Sequence, residues 1–236
     1  MRGLDVPPES LAAEGDQADL YLRAYLSLRF AIGAAGILLP VVLLVGDIWL
    51  SGTPGGRGSI SAYYHSGMRD VFVGTLVVIG AFLVTYRVAN HRPTNVITTV
   101  AGIACVGVAV FPTQGGAGDP LTPLQERAGE GAVAAVHYVS AAVFIGLLGL
   151  ISVYFAREAK ASDPGSPWVV YHYACAAAIY AASAYVVLTQ ATGTGDRYSL
   201  LIGETVAVEA FGASWLSKGL ALRGLVLRPM LLRRGT

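Results

Sequence analysis

Charged residues are scarce in this sequence, and their scarcity excludes most classes of soluble protein. Only 13% of the 236 residues are Asp, Glu, Lys or Arg, whereas 54% are hydrophobic. A soluble globular domain usually contains about 25% charged residues. The formal net charge is only +1, so the bulk charge gives no reason to expect a nucleic-acid partner. Together these values predict an integral membrane protein.

Cysteine is also scarce. Cys105 and Cys175 are the only two in the chain, and both lie inside apolar runs. The sequence contains no Cys-x-x-Cys pair and no Cys/His spacing typical of a zinc ribbon, so it favours neither a disulfide framework nor a structural zinc site of that kind. We expect both thiols to be small buried residues of the core.

What the sequence does contain is a set of six long apolar runs. Each is near the ~20 residues that a helix needs to cross ~30 Å of hydrocarbon. They cover residues 28–50, 69–87, 95–112, 133–156, 168–190 and 198–217. Because backbone groups inside a membrane must form hydrogen bonds within the segment, each run is predicted to be a helix.

The predicted fold is therefore all-α: a polytopic membrane helical bundle with six transmembrane helices. The transmembrane domain would occupy residues 28–218. A polar, acidic segment (residues 1–27) precedes it, and a basic tail (residues 219–236) follows it.

The positions of Lys and Arg predict the orientation of this bundle. With six spans, both termini lie on the same side of the membrane. That side holds twelve of the 16 Lys and Arg residues, and the other side holds four. The excess predicts a multi-pass protein of the cell membrane with both termini in the cytoplasm.

Aromatic residues near the ends of the runs are predicted to form belts at the two membrane surfaces. Trp49 would lie at the outer boundary, and Trp168 and Trp215 at the inner one. Tyr63 and Tyr64 are assigned to the outer belt as well.

The fifth run has a stripe of small residues. Ala174, Ala178, Ala181 and Ala184 lie three or four residues apart, a spacing that lets another helix approach closely. We therefore predict a central helix that packs on several neighbours. His172, in the same run, is predicted to be structural.

The polar stretch Ser59–Asp70 separates the first two runs, and it is the main candidate for chemistry. It includes His65 and lies at the outer mouth of the second span. His137 is about one turn into the fourth span, and Glu204 is about two turns into the sixth. Because ionisable groups inside a membrane are costly, each one suggests a function. We predict that His65, Asp70, His137 and Glu204 meet at one depth in the outer half.

The same residues have ordinary structural explanations. Asp70 can complement the dipole at the start of the second span, with Arg69 as its partner. Glu204 and Glu209 can be hydrogen-bonded to other helices. Being five residues apart, they are about 140° apart around a helix, so they are not predicted to act as one carboxylate pair.

One pattern of residues resembles a known family. Ser59-Ile-Ser-x-Tyr-Tyr-His and Arg69-Asp70-x-Phe-Val-Gly74, with Glu204 and Phe211-Gly-x-Ser-Trp-Leu-x-Lys-Gly219, are similar to motifs of a family of bacterial six-span membrane proteins. The similarity covers most of the chain. The resemblance implies a bacterial membrane protein, but the family has no established activity to carry over.

A second resemblance is narrower. Ser61-x-x-Tyr64-His65 is similar to the Ser-x-x-x-His element of the membrane hydrolases that include alkaline ceramidases and adiponectin-receptor-like proteins. The resemblance implies a zinc site to which Ser61 and His65 belong, with Asp70 as the aspartate near the zinc-bound water. That superfamily has seven spans and a His-x-x-x-His pair in the last one, and this chain lacks both.

These observations leave three functions open. The favoured one is a non-catalytic protein that binds membrane lipids or serves as an accessory subunit of a membrane complex, with the polar cluster at the outer leaflet. The first alternative is a metal-assisted lipid hydrolase with one zinc or other divalent ion. The second alternative is a proton-coupled transporter that uses Glu204 and Glu209. We also consider ligation of haem by His65 and His137, but the sequence contains no haem-binding motif to support it.

The hydrolase alternative assigns a role to each candidate residue. His65, His137 and Glu204 would hold the metal, as a set of two histidines and one carboxylate. Asp70 would be the general base, and Ser61 and Tyr64 would donate hydrogen bonds to an oxyanion.

Overall fold

A computed structural model describes the backbone of residues 8–52, 56–88, 91–116 and 119–233, and the side chains of these ranges from residue 17 to residue 220. Most of the predicted acidic N-terminal segment, including Asp5, Glu9 and Glu14, and most of the basic C-terminal tail therefore lie outside the described side chains.

The described chain consists almost wholly of helix, as predicted. A 3₁₀ turn, Ser61–His65, lies between the first two helices. The helices are α1 (Pro8–Ser51), α2 (Arg69–Thr85), α3 (Arg92–Val110), α4 (Pro123–Ala128), α5 (Glu130–Ser162), α6 (Pro167–Thr192) and α7 (Ser199–Arg233). The six longest contain nearly all of the six apolar runs, and α7 continues without interruption into the tail.

Within the described chain, four helices are long and apolar enough to cross a membrane: Gln17–Ser51 of α1, and the whole of α3, α5 and α6. The outer surface of the bundle is apolar as well, with exposed side chains such as Val170 and Val187. An exposed apolar surface of this extent is typical of a protein surrounded by lipid. The fold is thus an all-α bundle with membrane-length apolar helices.

The long helices pack as a closed ring in the order α1, α2, α3, α5, α6, α7 and back to α1. Small residues allow the closest approaches. A Cβ atom added to Gly102 of α3 would lie 2.5 Å from the carbonyl oxygen of Gly80 in α2, so only glycine permits this contact. Cys105 and Cys175 are buried free thiols, as predicted.

The prediction that the fifth run is a central helix is wrong. This run is α6, which packs mainly on α5 and α7. Its alanine stripe does not form the contact, because Ala174, Ala181 and Ala184 are exposed. The buried face instead carries Ile179 and Ala182. Alanine is tolerated on a lipid-facing surface, so small-residue spacing alone does not identify the face that has a neighbour.

The residues predicted to form aromatic belts differ in exposure. Trp49 is 81% exposed and Trp168 is 41% exposed, in keeping with positions on the lipid-facing surface. Trp215, Tyr63 and Tyr64 are buried. Inside the bundle, the Trp215 indole donates to the Arg29 carbonyl of α1, and the Tyr64 hydroxyl accepts from Arg69 at the start of α2.

Candidate functional site

The segment that joins α1 to α2 folds over the start of α7 and is held there by hydrogen bonds. The Leu201 amide donates to the Gly58 carbonyl at 2.9 Å. The Ile60 amide donates to Oε2 of Glu204 at 2.5 Å, and the Ser61 hydroxyl donates to Oε1 at 3.5 Å. Glu204 therefore caps the amino end of the 3₁₀ turn, where unpaired amides favour a carboxylate.

At the far end of this segment, Arg69 interacts with Tyr64. Its Nη2 donates to the Tyr64 hydroxyl at 2.8 Å, and its guanidinium lies 4.5 Å from the centre of the tyrosine ring. Asp70 is exposed in the first turn of α2. Arg69 is thus engaged by an aromatic side chain, and the structure forms no Arg69–Asp70 ion pair.

The residues just after α3 offer two backbone carbonyl groups to the histidines. Nδ1 of His137 bonds the Phe111 carbonyl at 2.6 Å, and Nε2 of His65 bonds the Thr113 carbonyl at 2.9 Å. The Thr113 carbonyl also accepts from Nε2 of Gln125 at 3.1 Å. A carbonyl only accepts, so the bonded ring nitrogens carry the protons. In a neutral His137, Nε2 is therefore the nitrogen with a lone pair.

Sequence reasoning missed Thr113 and Gln125, although they organise this region. Gln125 is 1% exposed. It also forms a capping box with Thr122 at the start of α4. The Thr-x-x-Gln spacing is a recognisable signal for a helix start, but α4 has only six residues and gives no apolar run to detect.

A cavity of about 520 Å³ opens between α5, α6, α7 and the 3₁₀ turn. Most of its wall is apolar, with residues such as Ile145, Val187 and Leu200. Its polar side chains near the 3₁₀ turn and the ends of α3, α5 and α7 are Ser59, Ser61, Thr113, Gln114, His137 and Glu204. The cavity is therefore amphipathic: its wall is mostly apolar, with a group of polar side chains by the 3₁₀ turn and three more, Tyr138, Tyr180 and Ser183, on α5 and α6.

A second, smaller cavity of about 70 Å³ lies inside the ring of helices. Phe72, Phe144 and Phe211 line it, and Ser61 and Glu204 border both cavities. The carboxylate thus stands between the bundle interior and the larger cavity. Glu209 borders neither, in keeping with its different face of α7.

The predicted site residues are only partly brought together. Ser61, His137 and Glu204 line the larger cavity, whereas Tyr64, His65 and Asp70 line neither of the two cavities. Among the described residues, no three or more His, Cys, Asp or Glu side chains are grouped so that they could hold a metal ion. The predicted set of His65, His137 and Glu204 is thus not gathered as a metal site.

A second polar cluster surrounds Arg29 of α1, which is fully buried. Its guanidinium carbon lies 4.2 Å from the ring centre of Trp215, 5.2 Å from that of Phe155 and 5.3 Å from that of Tyr86. Nη1 donates to the Tyr86 hydroxyl at 2.5 Å, and the Trp215 indole donates to the Arg29 carbonyl at 3.1 Å. Aromatic faces therefore stabilise this buried charge. In the described chain, Nε and Nη2 have no hydrogen-bond partner.

Further polar pairs extend this Arg29 cluster. Nδ1 of buried His172 lies 2.9 Å from the Ser214 hydroxyl, an arrangement that suits the structural role predicted for it. Lys218 forms an ion pair with Glu158 at 2.9 Å. The cluster connects α1, α5, α6, α7 and the end of α2.

The chain matches no protein-family model, no curated protein and no solved structure. The two resemblances carried by the Ser59–Asp70 stretch therefore stay predictions from motifs.

Proposed function

We propose that this chain is a multi-pass cell-membrane protein that binds a lipid in the cavity between α5, α6 and α7, in a non-catalytic or accessory role. In this proposal α1, α2, α3, α5, α6 and α7 span the membrane, and both termini are cytoplasmic. The polar end of the cavity then lies in the outer leaflet, at the depth of lipid headgroups.

The observation that carries the proposal is the amphipathic form of the cavity. Its volume of about 520 Å³ lies within the usual range of about 300–1,000 Å³ for ligand pockets. The mostly apolar wall suits an acyl chain, and the ionisable side chains of the cavity, Glu204 and His137, lie near the 3₁₀ turn and the end of α3. Lining residues such as Val187 are also exposed on the outer surface of the bundle, so an acyl chain can enter from the surrounding bilayer.

A binding role is further supported by the way the ionisable groups are held. Glu204 accepts hydrogen bonds from the Ile60 amide and the Ser61 hydroxyl, and His137 bonds a backbone carbonyl. These bonds tie α7 and α5 to neighbouring segments, so both side chains shape and support the wall of the cavity. A partner protein in a membrane complex would present or receive the lipid.

The binding site is tested by filling the cavity. Gly146 of α5 lines it, and a Cβ atom added there meets nothing within 4 Å. Gly146→Phe therefore takes cavity volume without a backbone clash. Gly74 of α2 also has open space around its Cβ position, but it borders neither cavity, so Gly74→Phe is the matched control.

The measurement is labelling of the purified protein by a phospholipid with a photoreactive acyl chain, followed by mapping of the labelled peptides. We expect labels in α5, α6 and α7, strongly reduced by Gly146→Phe and unchanged by Gly74→Phe. Equal labelling of all helices, or an equal reduction in both variants, would contradict the proposed site.

The orientation is tested by labelling from one side. Asp196, between α6 and α7, and Asp163, between α5 and α6, are both exposed, and the native thiols are buried. We expect an impermeant maleimide to label Asp196→Cys in intact cells, and to label Asp163→Cys only after permeabilisation. The reverse pattern would invert the topology.

A further inference from the structure

The polar end of the cavity offers hydrogen-bond donors and acceptors but no positive charge. In the described chain, no Lys or Arg lines either cavity. Three of the four cations at this end of the bundle are engaged elsewhere, and the fourth, Arg127, is exposed on α4. Arg57 lies 3.6 Å from Asp47, Arg69 stacks on Tyr64, and Arg197 bonds a backbone carbonyl.

This charge pattern opposes an anionic headgroup inside the cavity. A phosphate placed there would be buried without a cation to balance it. Burial of an unpaired charge is strongly unfavourable. A phospholipid headgroup would therefore have to stay outside the cavity.

The remaining hydrogen-bonding groups are of both kinds. Nδ1 of His137 is occupied by the Phe111 carbonyl, which leaves Nε2 as an acceptor in the neutral ring. The Ser59 oxygen accepts from the Ala62 amide at 2.9 Å, which leaves its hydroxyl proton to donate. A ligand hydroxyl can both donate and accept, whereas an ammonium group only donates.

The geometry points to a neutral lipid alcohol as the ligand: a lipid whose headgroup ends in a hydroxyl and carries no phosphate. The hydroxyl lies at the polar end beside Ser59, His137 and Glu204, and the chain lies along the apolar wall. This inference rests on the proposed function, and it names the headgroup that the cavity accepts. A single-chain alcohol and a diacylglycerol share this chemistry.

Competition among probes of equal chain length tests the headgroup. A photoreactive hexadecanol is bound to the full-length protein in detergent micelles, and hexadecanol, hexadecylamine or hexadecyl phosphate is added at equal mole fraction. We expect the alcohol to reduce labelling at least about tenfold more effectively than the phosphate, and more effectively than the amine. A dioleoylglycerol arm, with dioleoyl phosphatidic acid as its control, distinguishes two chains from one.

Two serine variants test the hydrogen-bonding argument. Ser59→Ala removes a hydroxyl with a proton to donate, so the alcohol should bind about two- to tenfold more weakly. Ser183 lines the same cavity, but its hydroxyl donates to the Ile179 carbonyl at 2.8 Å. Ser183→Ala should therefore leave alcohol binding unchanged. The melting temperature of each variant verifies that it is folded.

The outcomes separate this inference from the proposed function. If hexadecyl phosphate or hexadecylamine competes as well as the alcohol, the headgroup inference is overturned while lipid binding stands. If no probe labels the cavity and Gly146→Phe changes nothing, the proposed function itself fails.

Discussion

Two clusters of polar and ionisable side chains within the described bundle are built on opposite plans, one around Arg29 and one around Glu204. Arg29 is enclosed by the rings of Tyr86, Phe155 and Trp215, and neither cavity reaches it. Glu204 is bound on one side by the 3₁₀ turn and borders two cavities on the other. Glu204 and Trp215 are eleven residues apart on α7, which is about 16 Å along a helix.

The contrast teaches that burial of a charged residue does not by itself indicate a binding site. Around Arg29 the protein fills the space and satisfies the charge with aromatic faces, so the cluster joins helices. Around Glu204 the protein leaves space and places further polar groups beside it. The space next to the group, rather than the group itself, separates a structural cluster from a candidate site.

The largest effect is expected from Trp215→Ala. The change removes a fully buried ring and the face nearest to Arg29, and it should lower the free energy of unfolding by about 3–5 kcal/mol. Unfolding by SDS in mixed micelles measures this. Trp49→Ala is the control, since Trp49 is 81% exposed; it should change stability by less than about 0.5 kcal/mol. Equal losses would show that the Arg29 cluster is not a structural centre.

The next largest loss of stability is expected from Glu204→Ala. It leaves the Ile60 amide without its acceptor, at a cost of about 1–3 kcal/mol. Glu204→Gln keeps an acceptor oxygen and should recover most of that loss. Glu209→Ala, on the same helix but outside both cavities, should have little effect. Stability and protease cleavage between α1 and α2 are the measurements. If Gln and Ala behave alike, the hydrogen bond to the 3₁₀ turn is unimportant.

A matched serine pair compares the two clusters directly. Ser214→Ala breaks a buried 2.9 Å contact with His172 and should cost about 0.5–1.5 kcal/mol. Ser61→Ala removes only a long 3.5 Å bond to Glu204, so it should cost less than about 0.5 kcal/mol. In the lipid-labelling assay the order should reverse, with Ser61→Ala having the larger effect. A larger labelling defect in Ser214→Ala would break the distinction between the clusters.

The smallest effect is expected at the edge of the Arg29 cluster. Lys218 and Glu158 form a 2.9 Å ion pair, but both side chains are partly exposed. Lys218→Met should therefore change stability by no more than about 1 kcal/mol. The difference from wild type should shrink in 1 M salt, because salt screens partly exposed charges. A larger, salt-independent loss would mean that Lys218 belongs to the closed interior.

The helices were the most predictable feature. Apolar runs of membrane length identified all six long helices, because composition alone reveals a segment that must satisfy its backbone in hydrocarbon. The residues at which the helices begin and end were less predictable. Helix α1 begins at Pro8 and α7 extends to Arg233, well beyond the apolar runs, since a helix can continue through polar residues once it leaves the apolar region.

The candidate site was predictable only where a polar residue interrupts an apolar run. His137 and Glu204 stand out for that reason, and the structure places both on one cavity. Asp70 and His65 were predicted to lie at the same depth as His137 and Glu204, but they line neither cavity. The depth of a residue does not determine the direction of its side chain. Gln125 lies in the polar segment between α3 and α5, where the sequence pattern does not indicate which side chains are buried.

Composition and the spacing of apolar runs were sufficient to determine an all-α protein with membrane-length helices, because hydrophobicity is a property of each segment on its own. Only the tertiary structure decided which polar residues face a cavity and which face aromatic rings. In the sequence, Arg29 was only one of the twelve Lys and Arg residues counted on the cytoplasmic side, and Trp215 was assigned to the inner aromatic belt. Their contact depends on how α1 and α7 rotate and cross, which is set by the packing of several helices at once.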